Sequence, residues 1–211
     1  KGFEKGIGKE RDSGKNLDLI EANRQHKDLT VDILVSAFED DKTNNSINFV
    51  VKQDARRVER MKVLMGYLFE KALLFGKVFL SENKKACLLV IFSKKERTTL
   101  KTIALDIELA FKCIGLKNIF KVLKRQQLMK RFYPEENHIR PIIMGVSKDY
   151  FGRGSAAKLV LQVLHPYNEK RLPVIIDTVS DKNVKLYRKF GFKIKHKDES
   201  LGYPIYFMRL N

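Results

Sequence analysis

Two short stretches of the chain carry residue types that can hold an anion and move a proton. The first is Phe151-Gly152-Arg153-Gly154-Ser155-Ala156, where two glycines bracket an arginine just before apolar residues at helical spacing: Ala156, Leu159, Val160, Val163 and Leu164. A helix therefore starts at the glycines. The first turn of a helix leaves backbone N–H groups without partners and carries the positive end of the dipole, so phosphate oxygens find donors there. Glycine lets them approach. The second stretch pairs Asn183 with Tyr187, four residues and hence one turn apart on the same helix face. An amide can order a ligand or its neighbour. A phenol with an ordinary pKa of about 10 stays protonated at neutral pH and can serve as a general acid. An ordinary strand-to-helix turn and a packed tyrosine with a solvated hydroxyl would be written with the same letters.

The elements that position these residues follow from local pattern. Pro141 to Val146 is a short apolar run of the kind that fills an interior strand, and Ser147 to Tyr150 breaks it. Leu172 to Asp177 is a second such run. Asp181 to Phe190 is a short helix, stopped by Gly191-Phe192. Two nucleotide-binding patterns fail here. A phosphate loop of the G-x-x-x-x-G-K-[ST] type is absent, and the G-x-G-x-x-G dinucleotide pattern, with Ala157 in its third position, lacks an acid at the right distance because Asp177 lies too far on.

Upstream, Leu17 to Glu21 alternates as an edge strand, and His26 to Phe38 forms a first helix through Leu29, Ile33, Leu34 and Phe38. Glu39 to Gln53 loses periodicity and is expected to be a loop. Asp54 can cap a helix with Val58, Met61, Met65, Leu68 and Ala72 on its core face, ending at Gly76. Lys77 to Leu80 and Ala86 to Phe92 make a hairpin. Arg97 to Arg131 gives two helical patterns broken at Gly115, through Leu100, Ile103, Ile107, Ala110, Phe111 and Ile114, then Ile119, Leu123, Leu128 and Phe132. Core packing is the expected role of this pair, ahead of an amphipathic surface for RNA or membrane built on its basic second half. Lys193 to Asp198 and Tyr203 to Asn211 close the sheet as a last pair of strands. Residues 1–16, rich in glycine and charge, are expected to be a flexible arm, with one domain over 17–211.

With 211 residues and 44% hydrophobic content the chain can bury one good core. Only two cysteines occur, Cys87 and Cys113, each inside an apolar pattern, so a reducing cytoplasm is expected rather than a disulfide framework. No apolar run reaches the length of a membrane span, no metal-ligand cluster is evident, and no membrane partner is expected. The formal charge is +17, from 42 Lys and Arg against 25 Asp and Glu. That excess suits polyanions, but the basic residues are scattered and no RNA-binding aromatic motif accompanies them, so a nucleic acid is not the expected partner.

The stretches IIMGVSKDYFGRGSAAKLV and PVIIDTVSDKNVKLYRKFGFKI resemble the Gcn5-related N-acetyltransferase (GNAT) superfamily, whose cofactor loop is Q/R-x-x-G-x-G/A and whose later segment is N-x-x-x-Y-x-x-x-G-F. Ala37-Phe38-Glu39-Asp40-Asp41, and His138 seven residues before Gly145, are similar to a subgroup that includes puromycin N-acetyltransferase. Phe151 stands where the family has Gln or Arg, and Lys42 where the subgroup has proline. The resemblance covers roughly residues 17 to 211 and implies an α/β (α+β) fold: a central mixed, mostly antiparallel sheet flanked by helices, with the helical pair at about 97–133 inserted. It implies transfer of acetyl from acetyl-CoA to a primary amine, of a small molecule by family analogy, in a ternary complex. Met144, Gly145 and Val146 would pair with the pantetheine arm, and Phe151, Gly152, Arg153, Gly154, Ser155 and Ala156 would surround the pyrophosphate. Asn183 would order the cofactor or Tyr187, and Tyr187 would be the general acid. Phe38, Asp41 and His138 are the candidates on the acceptor side. The base is left open among His138, Glu39, Asp40, Asp41 and a water chain. The alternative from another class is a basic, nucleic-acid-associated module on a non-catalytic version of the fold.

Overall fold

Strict alternation along the two hairpin strands sorts their side chains into two cores. A computed structural model of the chain describes residues 19–152 and 154–210. In β2 (Gly76–Leu80) and β3 (Ala86–Phe92), Val78, Leu80, Cys87 and Leu89 enter one core, while Phe79, Ala86, Leu88 and Val90 enter the other. Because both faces are covered, β3 is a continuous apolar run rather than an alternating one.

These strands belong to a seven-stranded sheet with β1 (Ile20–Glu21), β4 (Ile139–Val146), β5 (Val174–Thr178), β6 (Lys193–Asp198) and β7 (Ile205–Leu210), in the order β1-β2-β3-β4-β5-β7-β6. The β4–β5 contact is parallel and the others are antiparallel. One face is covered by α1 (Lys27–Phe38) and α3 (Arg57–Phe75), through Leu34, Met61, Met65 and Phe69. The other is covered by α6 (Ser155–Glu169) and α7 (Asp181–Lys189), through Leu159, Val160, Val163 and Val184. The expected mixed, mostly antiparallel sheet flanked by helices is present. Helix α3 passes into β2 without a loop, and Gly76 permits this: a Cβ there would lie 1.8 Å from the Val90 carbonyl oxygen.

Three expectations are corrected. The stretch 39–53 is not all loop, because Asn45 caps a short helix, α2 (Ser46–Val50), by accepting the Asn48 N–H at 2.8 Å. Asp54 does not directly cap α3; it accepts from Arg56 N–H and clamps the Arg60 guanidinium through both carboxylate oxygens at 2.9 Å. The third concerns the inserted pair, α4 (Leu100–Leu109), its π turn Ala110–Ile114, and α5 (Ile119–Phe132). Its buried positions are Thr102, Leu109, Cys113, Ile114, Val122 and Met129. Leu100, Ile103, Ile107, Phe111 and Leu123 are exposed. Both helices are apolar on more than one side, and only one side meets the rest of the chain. The expected arm at 1–16 and the edge-strand residues 17 and 18 lie outside the described residues.

Arg57 organises the segment between α1 and α3. It is buried, and its guanidinium donates to the carbonyls of Phe38, Glu39 and Asp41, to Asn48 Oδ1 and to Gln53 Oε1. Every acceptor lies within 38–53, so this one side chain wraps that segment around itself.

Candidate active site

β4 and β5 stop pairing almost at once, and the parted strands define a candidate cleft between them. Ile139 is registered with Val174 and donates its N–H to the Pro173 carbonyl at 2.8 Å; beyond this the two parallel strands share no registered pair. On its other edge β4 pairs with β3 along its length, with a bulge opposite Leu89 and Val90 that skips Ile142. The β5-facing main-chain groups of β4 past Ile139 are thus left unclaimed by β5. Burial agrees: β4 is the middle strand, yet Arg140 to Met144 are only half-buried, whereas β3 beside it is buried almost throughout. Gly145 is fully covered because α1 presses on it; a Cβ would lie 2.9 Å from Leu34 Cδ2.

The strand then leads into the glycine turn. Ser147 N–H donates to the Lys85 carbonyl and Lys148 N–H to Ser36 Oγ, while Lys148 pairs with Asp40 and Lys85 with Asp149. These contacts tie the segment to α1 and to the β2–β3 hairpin. Gly152 and Gly154 have φ of +83° and +73°, and nothing lies within 4 Å of a Cβ built on either. Glycine is required there by conformation rather than by space. Phe151 and both glycines are exposed, Ser155 and Ala156 half-buried, and α6 begins at Ser155. Arg153 lies outside the described residues.

Tyr187 is half-buried on α7, its ring 5.6 Å from Phe192. Among the described residues its hydroxyl makes no hydrogen bond. Burial, and then the negative charge of Asp177, hold its phenol above the ordinary value, so it keeps its proton at neutral pH. Asn183 is exposed; its side chain reaches Thr178 Oγ1 at the end of β5 at 3.5 Å, and Ser180 caps the helix by accepting Asn183 N–H. The Asn183–Tyr187 turn is therefore anchored to the strand that forms one wall of the cleft.

The acceptor-side candidates are placed differently from one another. Phe38 ends α1, half-buried in the core, and its carbonyl accepts from Arg57. Asp41 spends one carboxylate oxygen on Thr43 and the other on Asn45, which shapes the turn that follows. His138 is buried, its Nδ1 at 2.8 Å from the Glu136 carbonyl, and burial holds its imidazole below the ordinary value. Asp40 is exposed and paired with Lys148.

A polar cluster not anticipated from sequence lies beside the cleft. Asp177, on β5, accepts from the Tyr133 hydroxyl at 2.6 Å and from Arg125 Nη2 at 3.2 Å, and the same nitrogen donates to Ser46 Oγ at 2.8 Å. Arg125 Nε and the neighbouring Tyr203 hydroxyl are both buried, and neither has a hydrogen bond of good geometry among the described residues. The Tyr203 ring meets Phe49 edge-on at 5.3 Å, and the Lys121 ammonium sits 4.1 Å above Phe49. The one signal in the sequence was an acid at the end of a buried strand run, LPVIID. Arg125 and Tyr133 carried none.

No protein-family model matches the sequence, and no curated protein sequence is significantly similar to it. Solved structures are similar to it in fold. Histone acetyltransferase HPA2 and related acetyltransferase from Corynebacterium glutamicum superposes with a TM-score of 0.63 at 16% identity, covering 90% of this chain and 93% of that one. The C-terminal condensation domain of Ebony, solved with beta-alanyl-dopamine, gives 0.63 at 12% identity over 92% and 97%. Arylalkylamine N-acetyltransferase 2 from Aedes aegypti gives 0.59 at 14% identity over 92% and 98%. With the seven-stranded sheet, the parted β4 and β5 and the glycine turn before α6, these likenesses establish that the chain has the fold of the GNAT acetyltransferases.

Proposed function

We propose that the protein is an N-acetyltransferase that moves an acetyl group from acetyl-CoA to a primary amine of a small molecule, by direct attack within a ternary complex. The observation that carries this reading is the single registered pair between β4 and β5, opening toward a positive-φ glycine turn and a helix N-terminus. Such a groove fits a long ligand with amides along its arm and phosphates at its end. Main-chain groups at Met144 and Val146, on either side of the tightly packed Gly145, would pair with the pantetheine arm. Amides at Gly152, Gly154, Ser155 and Ala156 would hold the pyrophosphate, with Arg153 adding charge and the exposed Phe151 lying beside it.

When bound, acetyl-CoA supplies an activated acyl group as a thioester. The chain positions the two reactants and manages protons. Tyr187 holds the proton destined for the departing sulfur, and Asn183 orders that helix turn against Thr178. The acceptor enters on the side of the 38–53 segment, where Phe38 and Asp41 contribute to the wall, in keeping with the subgroup resemblance of Ala37 to Asp41. His138 would act on that side only through its neighbour Tyr133, with the ring centroids 6.2 Å apart.

Calorimetric titration of cofactor-free protein tests this reading. CoA and acetyl-CoA should bind, and Gly154→Glu should abolish binding by placing an anion and a disfavoured backbone where phosphates belong. A screen of primary amines by thiol release should then find an acceptor. Absence of CoA binding to the wild-type protein at high micromolar concentration overturns the proposal.

A further inference from the structure

Each of the two inserted helices carries apolar side chains that nothing in the described chain covers. Leu100, Ile103, Ile107 and Phe111 step by three and four along α4 and its π turn, and all are exposed, Leu100 by 88% and Phe111 by 64%. Across the turn at Gly115 the pattern resumes with Leu116, Phe120 and Leu123, where Phe120 is 82% exposed. Seven of the ten large hydrophobic residues exposed among the described residues thus fall within 100–123. Such concentration marks an interaction surface rather than the scattered exposure of an ordinary exterior.

Charge selects the occupant. Helix α5 contains Lys121, Lys124, Arg125, Lys130 and Arg131 and no acidic residue. The two acids of α4 are engaged, Asp106 by the Tyr67 hydroxyl at 2.7 Å and Glu108 by Lys112 at 2.8 Å. Lys117, Lys124 and Lys130 are exposed without an acidic partner among the described residues. A second copy would set like charge against like on a chain already at +17. A nucleic acid would match the charge but has no use for exposed Leu100 and Phe120. An anionic bilayer surface satisfies both, taking apolar side chains into the acyl boundary and lysines at the headgroups.

We propose that the outer face of α4 and α5 docks on anionic lipid membranes, lying in the interface. No helix among the described residues is long and apolar enough to cross a membrane, so this is surface attachment and not spanning. The expectation of no membrane partner rests on spanning length and on core packing as the role of the inserted pair, and the exposure of Leu100, Ile103, Ile107, Phe111 and Phe120 departs from the second. The opposite side of α5 sends Arg125 toward Asp177, so docking leaves the polar cluster on the side away from the lipid.

Co-sedimentation of the full chain with phosphatidylcholine vesicles, with and without phosphatidylserine, tests the proposal. Binding should require phosphatidylserine and weaken at high salt. Lys124→Ala should weaken it about five-fold, and Phe120→Ser with Leu100→Ser by roughly ten-fold or more. Both apolar positions are exposed, so the variants should melt like wild type by circular dichroism, separating lost docking from lost folding. Three results overturn it: no sedimentation with phosphatidylserine vesicles; binding that Lys124→Ala weakens but the apolar variants leave unchanged, which indicates general polyanion attraction; or a dimer by light scattering that Phe120→Ser dissociates while vesicles are ignored.

Discussion

The Tyr133 hydroxyl donates to Asp177 Oδ1 at 2.6 Å, joining the end of the inserted helical pair to the strand that walls the cleft. Burial and then the Asp177 charge hold the Tyr133 phenol above its ordinary value, so it keeps its proton, and its role as donor, at neutral pH. Tyr133→Phe keeps the ring but leaves the carboxylate with Arg125 alone. The expected loss is about 1.5–3 kcal/mol, the usual worth of a hydrogen bond to a charged group, measured by urea denaturation. If the cluster also binds acceptor, KM for the amine should rise while CoA affinity stays the same.

Tyr187→Phe removes one hydroxyl and keeps the packing on Phe192. As general acid, Tyr187 should contribute roughly 10²-fold to kcat, with the CoA dissociation constant nearly unchanged. Activity that needs the protonated phenol falls as pH rises through its pKa. Because burial, then Asp177, raise that pKa, the alkaline limb should lie above the ordinary value of about 10. Asp177→Asn should bring the limb down, though not below the ordinary value, since burial persists. Equal kcat in Tyr187→Phe and wild type would remove it from the mechanism.

Arg57→Lys tests the wrapped segment. A lysine has three donors and no planar fork, so it cannot serve the carbonyls of Phe38, Glu39 and Asp41 together with Asn48 and Gln53. Carbonyls left buried and unmatched should cost on the order of 3 kcal/mol. Limited proteolysis should then cut within 39–53 faster than in the wild-type protein.

Glu70 lies on α3 between Lys27 of α1, at 3.0 Å, and Lys101 of α4, at 2.9 Å. Burial works against its charge, but the two lysines outweigh burial and hold the carboxyl below its ordinary 4.5. A depressed folded-state pKa contributes stability above the unfolded value that is lost as pH falls through the folded one. Glu70→Gln should therefore melt lower than wild type at neutral pH, and the gap should close as pH falls below 4.5. A constant gap across that range would show that the lysines do not set the pKa.

Patterns whose cause is local were legible in the sequence. The apolar runs of β2 and β3, the glycines before α6 and the break at Gly115 each reflect backbone preference or a face that must be buried, and each element lies within a few residues of its expected place. Even α2 had a local signal, an asparagine three residues before the amide it caps. What tertiary structure decided are relations between segments. The parting of β4 and β5 is a matter of register between two strands, and neither strand's letters encode it. Tyr133 and Arg125 reach Asp177 across 44 and 52 residues, and Arg57 collects carbonyls that every residue possesses, so no side-chain pattern announces them. The inserted pair makes the sharpest case: helical periodicity names the apolar sides of α4 and α5, but which side is covered depends on where the rest of the chain stands. Here it covers Leu109 and Val122 and leaves Leu100 and Phe120 to water.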